Sequence, residues 1–394
     1  MRRTLYRRSG EVDVERCRLV AVGDLMLSGA VEKRFPGGAG ADALFAGVRE
    51  ALRSGDVVFG NLETPLCAPA PDRPLFRGDP AMAAAIAGAG FNLLSLANNH
   101  ILEFGPGPLL ESIEHVERHG IRVLGAGATR EIAGRPVVME RRGVRIGCLG
   151  YGRTLQEQKD PTIPGFIEWD EAAAVEAVAA LRKRVDCVVV SVHMGFMWID
   201  YPNPVFKQSA DRLLSAGAHV VLMHHAHVLQ GYAADDGRVA VYNLGNFIAD
   251  IWEGETGVTP VPDRQRESAI YMIDLDRRGV AGIGIVPIVM TDDLRVVEAD
   301  EFRGKAIADR LERISTEIRS GAYLKEYARQ RAELNTGNIL VWLILHVKKG
   351  NWGELGRNLV RVRPEHAAML GRFLWNRIKG LWRRERPVPD TDAS

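Results

Sequence analysis

Six hydrophobic runs in this sequence end in residues able to bind a metal ion, and one of them, Val220-Val221-Leu222-Met223, passes directly into His224-His225-Ala226-His227. The other five close on Asp24 (LVAVGD), on Asn61 and Glu63 (VVFGNLE), on Asn98, Asn99 and His100 (LLSLANNH), on His193 (VVVSVH), and on Asn243 and Asn246 (VAVYNLGN). Asp24, Glu63, Asn99, His193, His225 and His227 are the candidate ligands: an anionic bridge, neutral imidazoles and an amide oxygen that adds no charge. Two divalent cations (Mn, Fe, Zn or Mg) held by such a set would clamp an anionic group and activate water for in-line attack. His100 is placed to protonate a leaving oxygen, and Glu103 to orient a neighbouring imidazole. Asn61, Asn98, His224, Asn243 and Asn246 are candidates for supporting or substrate contacts. Asn243 and Asn246 also read as loop braces, and His224 would point away from His225 if the strand continued. Taken singly, Asp24 could be a helix cap and His193 a buried core imidazole. Their recurrence at the ends of six runs speaks for one shared site.

Elements must deliver these residues to one place. Strands are predicted over 18–24, 56–63, 91–97, 121–125, 144–151, 186–193, 219–224 and 239–243, with helices over 41–54, 79–89, 107–119, 170–184 and 204–216. Alternating strand and helix with runs apolar on both faces implies a sheet covered on both sides, with ligands beyond the carboxyl ends of its strands. By this reading alone the fold has three layers. Two apolar runs within 268–290 flank Asp276-Arg277-Arg278-Gly279 and predict a closing hairpin. The Gly/Pro-rich stretches 64–80 and 249–267 follow polar strand ends and are expected to rim the site.

With 394 residues, 46% hydrophobic and 26% charged, the chain is an ordinary globular protein, and a formal charge of +1 points to no nucleic-acid partner. Cys17, Cys67, Cys148 and Cys187 form no CxxC pair, which argues against a zinc knuckle or disulfide framework. A basic start (Arg2, Arg3, Arg7, Arg8) without a signal-like apolar stretch, and no run long enough to span a bilayer, lead to the expectation of a cytoplasmic protein. The expected organisation is a basic N-terminal arm (1–17), a domain carrying the candidate metal site (18–300) and a helical, basic, amphipathic extension (301–394).

The motifs VAVGDLMLSG, VVFGNLETPL, LLSLANNHILEFG, VVVSVHMG, VVLMHHAHVLQG and VYNLGNFI resemble the CapA family of poly-γ-glutamate capsule proteins, from about Leu19 to Pro287 and in that family's order. That family is related to the calcineurin-like metallophosphatases. The resemblance implies an α/β metallophosphatase-like αββα sandwich of four layers, two mixed sheets packed together with helices outside. It sets Asp24 at the first metal aspartate, Glu63 at the bridging position, Asn99 and His100 at the Asn-His pair, His193 at the isolated histidine, and His225 and His227 at the terminal His-x-His. The chain departs from the pattern in several places. Met26 stands where related phosphoesterases often have a histidine ligand, so one metal site is expected to be the weaker. The usual Gly-His-His-Pro-His reads Met223-His224-His225-Ala226-His227, His-Trp-Gly-x-Glu reads His193-Met194-Gly195-Phe196-Met197, and the Asp after Asn-Asn-His becomes Glu103.

The last part of the chain lies outside this resemblance. Residues 331–394 carry a formal charge of about +6, and Leu370, Phe373, Leu374, Ile378 and Leu381 recur at helical spacing near Trp375 and Trp382. Such a helix either lies on an anionic membrane surface as a peripheral contact or packs on protein. Three functions follow: a CapA-like protein acting in synthesis, modification or export of a poly-γ-glutamate-like or other anionic capsular polymer as a metal-dependent hydrolase; a phosphoesterase on a soluble phosphoester; and a non-enzymatic membrane-associated scaffold.

Overall fold

Alternate residues of the strand Cys17–Leu25 serve two different cores. Val20 and Val22 face a helix-covered cluster with Phe45, Leu52 and Ile86, whereas Leu19 and Ala21 face a second cluster that contains Val144, Ile146, Val189 and Leu222. The same division recurs at Val58 against Phe59 and at Leu94 against Leu93. Period-2 alternation with both sides apolar therefore buries one sheet between helices and another sheet. The computed structural model describes residues 2–9, 15–68, 76–153, 160, 162–249, 252–254, 257–259 and 262–348.

The larger sheet has nine strands, ordered Arg3–Arg7, Gly279–Met290, Glu267–Asp276, Cys17–Leu25, Val57–Leu62, Leu93–Ser95 and Arg122–Leu124; Asn246–Ile248 also pairs with Cys17–Leu25, and Val296–Glu298 with Gly279–Met290. The smaller has six, ordered Tyr232–Asp235, Arg238–Val241, Val220–His224, Cys187–His193, Val144–Gly152 and Val137–Arg141. Helices Arg49–Arg53, Met82–Ala89 and Pro106–Arg118 contribute Leu52, Ile86 and Leu109 to the outer core of the first sheet. Helices Glu171–Arg182 and Pro204–Ala216 pack on the second. The result is the four-layer αββα sandwich, one layer more than hydrophobic periodicity alone implied. Both sheets are mixed, and the parallel strands Cys17–Leu25, Val57–Leu62, Leu93–Ser95, Cys187–His193 and Val220–His224 carry candidate polar residues at or just beyond their carboxyl ends.

Three expectations about organisation are revised. Arg3–Arg7, assigned to a basic arm, is an edge strand antiparallel to Gly279–Met290, with Leu5 and Tyr6 packed on the inter-sheet core and Arg3 on Asp309 at 2.7 Å. The helix Glu301–Ser320, assigned to the extension, buries Ile307, Ala308 and Leu311 in that same core and is capped by Asp300, whose side chain accepts the Arg303 amide. A compact unit accordingly runs to Tyr323, and a second begins at Leu324, where the described residues form the helix Tyr323–Lys348. The helix predicted over 41–54 is two short helices, Asp42–Phe45 and Arg49–Arg53. Gly47 between them bridges to Val297, where a Cβ would lie 2.8 Å from the valine side chain. The predicted hairpin is present as Glu267–Asp276 and Gly279–Met290.

All four cysteines are buried and unpaired. No helix among the described residues is long and apolar enough to cross a membrane. The predicted loops 64–80 and 249–267 fall partly outside the described residues, and the amphipathic segment with Leu370, Phe373, Leu374, Ile378 and Leu381 falls wholly outside them.

Candidate metal centre

Gly23 is the backbone device that lets the centre form. A Cβ there would sit 1.8 Å from the Gly245 oxygen, the same carbonyl that accepts the Asp24 amide at 3.0 Å. Only glycine admits that approach, and it brings Asn246–Ile248 alongside Asp24. The pairing of Cys17–Leu25 with Val57–Leu62 shifts register between Ala21 and Asp24. In the second sheet His193 and His224 are register partners at the ends of neighbouring parallel strands. The strand stops at His224, after which His225 (φ 88°) and His227 (φ 58°) adopt left-handed backbone. Non-glycine residues pay strain there, and such strain clusters at functional sites.

Residues distant in sequence meet at these ends. Glu63 Oε1 lies 3.5 Å from His193 Nε2, 3.8 Å from His227 Nε2 and 3.7 Å from His100 Nε2. Asp24 is 3.4 Å from His227 Nδ1 and 4.0 Å from His193 Nδ1. Asn99 Oδ1 is 2.7 Å, and His225 Nδ1 3.1 Å, from His193 Nε2. Two groups of donors have ligand atoms within 4.8 Å of one another: Glu63, His193 and His225, and Asp24, Glu63 and His227. Glu63 belongs to both, as a carboxylate bridging two cations would.

A test of fit is the state of Glu63 itself. Its side chain is 0% exposed, yet neither carboxylate oxygen has a hydrogen-bond partner among the described residues. A buried carboxylate without partners is strongly unfavourable unless a cation satisfies it, so these residues suit a divalent pair. The electrostatics agree. Burial, and then the charge of Asp24, push Glu63 up to about 7. Burial would raise Asp24 as well, but the imidazoles of His224 and His227 outweigh it and hold that carboxyl well below its usual range. Burial and neighbouring imidazoles push His193 well down and His225 to about 4, which leaves both neutral with lone pairs free for a metal. His227 goes the other way: burial opposes its proton, but Glu63 and Asp24 raise it to about 9.

The supporting residues take distinct places. Asn61 donates Nδ2–H to Asp24 Oδ1 at 2.9 Å and contacts His193 Nδ1 at 3.1 Å. Asn246 Oδ1 faces His227 Nδ1 at 2.9 Å, an orienting role beyond a loop brace. Asn243 is a brace, accepting the Gly245 amide, and Asn98 shapes the turn by accepting the amides of His100 and Ile101. His224 is buried with Nδ1 3.2 Å from Asp24 Oδ1, behind the carboxylate. His100 Nδ1 pairs with Glu103 at 2.6 Å. Met26 is buried and brings no imidazole. Phe76, which no sequence pattern marked, stacks on the His100 ring at 4.4 Å. A lone aromatic in a proline-rich loop carries no periodic signal.

Residues 18–251 match the profile of a family described as "Bacterial capsule synthesis protein PGA_cap". The chain is 28% identical over 297 residues to the PGA biosynthesis protein CapA of Bacillus subtilis, covering 73% of this chain and 75% of that protein. It is 27% identical over 289 residues to the capsule biosynthesis protein CapA of Bacillus anthracis, with 70% and 67% covered. Among solved structures, a calcineurin-like phosphoesterase of Bacillus subtilis is similar at 12% identity and a TM-score of 0.44, covering 76% of this chain and 96% of that one. A 5'-nucleotidase precursor of Thermus thermophilus is similar at 17% identity and a TM-score of 0.40; the alignment covers 76% of this chain and only 58% of that protein's length.

Proposed function

Because the chain belongs to the family of bacterial capsule synthesis proteins named PGA_cap, we propose that it works on a poly-γ-glutamate-like or other anionic capsular polymer as a metal-dependent hydrolase. The observation that carries this reading is the shared Glu63, buried, without a hydrogen bond among the described residues and common to both ligand groups. Asp24, Glu63 and His227 would hold one divalent ion, and Glu63, His193, His225 and Asn99 the other. Such ions supply Lewis-acid activation of water and of the bond to be cleaved.

The protein's own groups supply the rest. Glu103, against Nδ1 of His100 at 2.6 Å, fixes that imidazole so that Nε2 faces Glu63 and is the atom that accepts or delivers a proton. Phe76 covers the ring and shields that transfer from bulk water. Asn61 keeps Asp24 and His193 aligned, and Asn246 does the same for His227. The expected result with Mn²⁺ and a γ-linked polyglutamate is shortening of the chain, read as new amino termini, and its loss in His193→Ala and His225→Ala. Elemental analysis of purified protein beside Asp24→Ala tests the centre separately; equal metal content in both would sink it.

The His100–Glu103 pair beside Asn99 favours a second reading, hydrolysis of a soluble phosphoester. Brisk turnover of a generic aryl phosphate, with no action on the polymer, would select it.

A further inference from the structure

The strand Val144–Gly152 ends where the two sheets come together. Gly152 is the register partner of His193, and a Cβ on it would lie 2.6 Å from the Ala97 oxygen and 2.9 Å from the Asn98 nitrogen, so the chain is pressed against the loop that carries Asn99. The next residue, Arg153, donates its amide N–H to the His193 carbonyl at 3.1 Å. Arg153 thus leaves the sheet tied to the backbone of one candidate ligand, His193, and next to a residue pressed on the loop that carries another, Asn99. Its side chain is exposed, and the guanidinium carbon stands 5.9 Å from the centroid of the Phe206 ring. Phe206 in turn stacks on Phe196 at 6.2 Å, three residues beyond His193. The cations on the helix Pro204–Ala216, which carries Phe206, are spent on acids: Lys207 on Asp211 and Arg212 on Glu171. Arg153 has no such ion pair among the described residues.

Trp198 is pinned to another part of the same centre. Its amide donates to Ala226, the residue between His225 and His227, at 2.8 Å. It holds a left-handed φ of 65° while its side chain remains 46% exposed. A bulky residue in that backbone region is strained, and exposing an indole forgoes its burial. Both features are unfavourable to folding and leave the indole partly in solvent, on a residue whose amide is tied to the loop that carries His225 and His227.

We infer that Arg153 and Trp198 form a substrate subsite beside the metal centre that takes a carboxylate-bearing chain. One guanidinium with an aromatic ring beneath it, and with the helix cations Lys207 and Arg212 already paired, matches a single negative charge and a bidentate carboxylate. The Trp198 face suits the methylene spacers between successive carboxylates. The inference rests on the proposed reading that this site handles an anionic polymer, and it makes these two residues determinants of specificity. Interactions with parts of a substrate remote from the reacting bond are a recognised source of specificity.

Calorimetric titration of the Mn²⁺-loaded full-length chain tests it without reading turnover. The probes are a γ-linked hexaglutamate, its fully amidated neutral counterpart, and inorganic phosphate. Arg153→Gln is expected to weaken the hexaglutamate about tenfold or more, the loss of one charge-assisted contact. Trp198→Ala weakens it several-fold, and Trp198→Phe restores most of that. The neutral peptide should bind the native protein no better than the hexaglutamate binds Arg153→Gln, with Mn²⁺ stoichiometry and phosphate affinity unchanged in all variants. Unchanged hexaglutamate affinity in Arg153→Gln, failure of the native protein to bind the hexaglutamate, or an equal loss of phosphate binding would each overturn the subsite. Absence of hydrolysis would count against the catalytic reading alone, because binding is measured independently.

Discussion

At the amino end of the sheets, Asp276 is buried against Arg8 and accepts the Arg278 amide, Arg18 forks onto Asp274 at 2.8 and 3.2 Å, and His219 Nδ1 accepts the Val188 amide at 3.1 Å. At the carboxyl end, neither oxygen of Glu63 has a hydrogen bond among the described residues, and His225 and His227 hold left-handed backbone. The same strands connect both ends, so general features of the fold do not account for the difference. Buried polar groups are normally satisfied. One end obeys that rule with its own side chains, and the other keeps donors in reserve for something it binds.

Losing one acid should affect the two ends very differently. Asp276→Ala strands the Arg8 guanidinium, whose side chain is only 12% exposed, and is expected to destabilise the protein by about 3–5 kcal/mol. Glu63→Gln removes a buried charge that accepts no hydrogen bond among the described residues, so without metal the relief of burial should offset the lost attraction to His227 and stability should stay within about 1 kcal/mol of the native value or rise. Denaturant midpoints of the metal-free proteins measure both. A Glu63→Gln loss as large as that of Asp276→Ala would mean the carboxylate is part of the framework.

The pH response should differ between the ends as well. Burial, followed by the nearby Arg182 and Arg238 charges, pushes His219 down to about 4 from an ordinary 6.5. Its folded form is therefore neutral. The stability it contributes is complete above pH 6.5 and drains away as pH falls toward 4, because the unfolded chain takes up the proton first. The full extent is at most about 3 kcal/mol. His219→Asn retains an acceptor for the Val188 amide and should flatten the stability curve over that window. A curve of unchanged slope would assign the acid sensitivity to other groups.

Adding metal should act only on the carboxyl end. At a hundredfold excess over its dissociation constant, Mn²⁺ should stabilise the native chain by about 2.7 kcal/mol. It should leave Glu63→Gln unmoved, while Asp276→Ala, destabilised from the other end, gains the full increment. Thermal midpoints with and without Mn²⁺ provide the measurement.

Legibility in the sequence followed locality. The helix over 204–216 and the hairpin around Arg277-Arg278 depend on neighbours within a few residues, and both lie where periodicity and turn chemistry put them. The grouping of Asp24, Glu63, Asn99, His193, His225 and His227 was legible because strand ends share one edge in such folds. The edge strand Arg3–Arg7 was hidden by its arginines, whose partners lie far along the chain. Nor does period-2 alternation reveal whether the second apolar face meets helices or another sheet, which is why the fourth layer emerged only from family resemblance and structure. The roles of Phe76 and Asn246 rest on single long-range contacts that leave no pattern.

The carboxyl end is itself divided between two groups of unequal donor number. Glu63, His193 and His225 have Asn99 beside them as a fourth donor, 2.7 Å from the His193 nitrogen. Asp24, Glu63 and His227 have no fourth donor from Met26, which is buried with its amide bonded to Ile248 at 3.0 Å. Four donors hold a divalent ion more tightly than three. Mn²⁺ should therefore bind in two steps, the stronger at the His193 group and the weaker at the Asp24 group. Met26→His should tighten the second step alone, by about tenfold, the scale on which single ligand-sphere changes act. Calorimetry resolves the steps, and Asp24→Ala identifies the weaker one by deleting it. If the native protein takes up both ions with equal affinity, or Met26→His leaves the second step unchanged, Met26 does not set an asymmetry between the two groups.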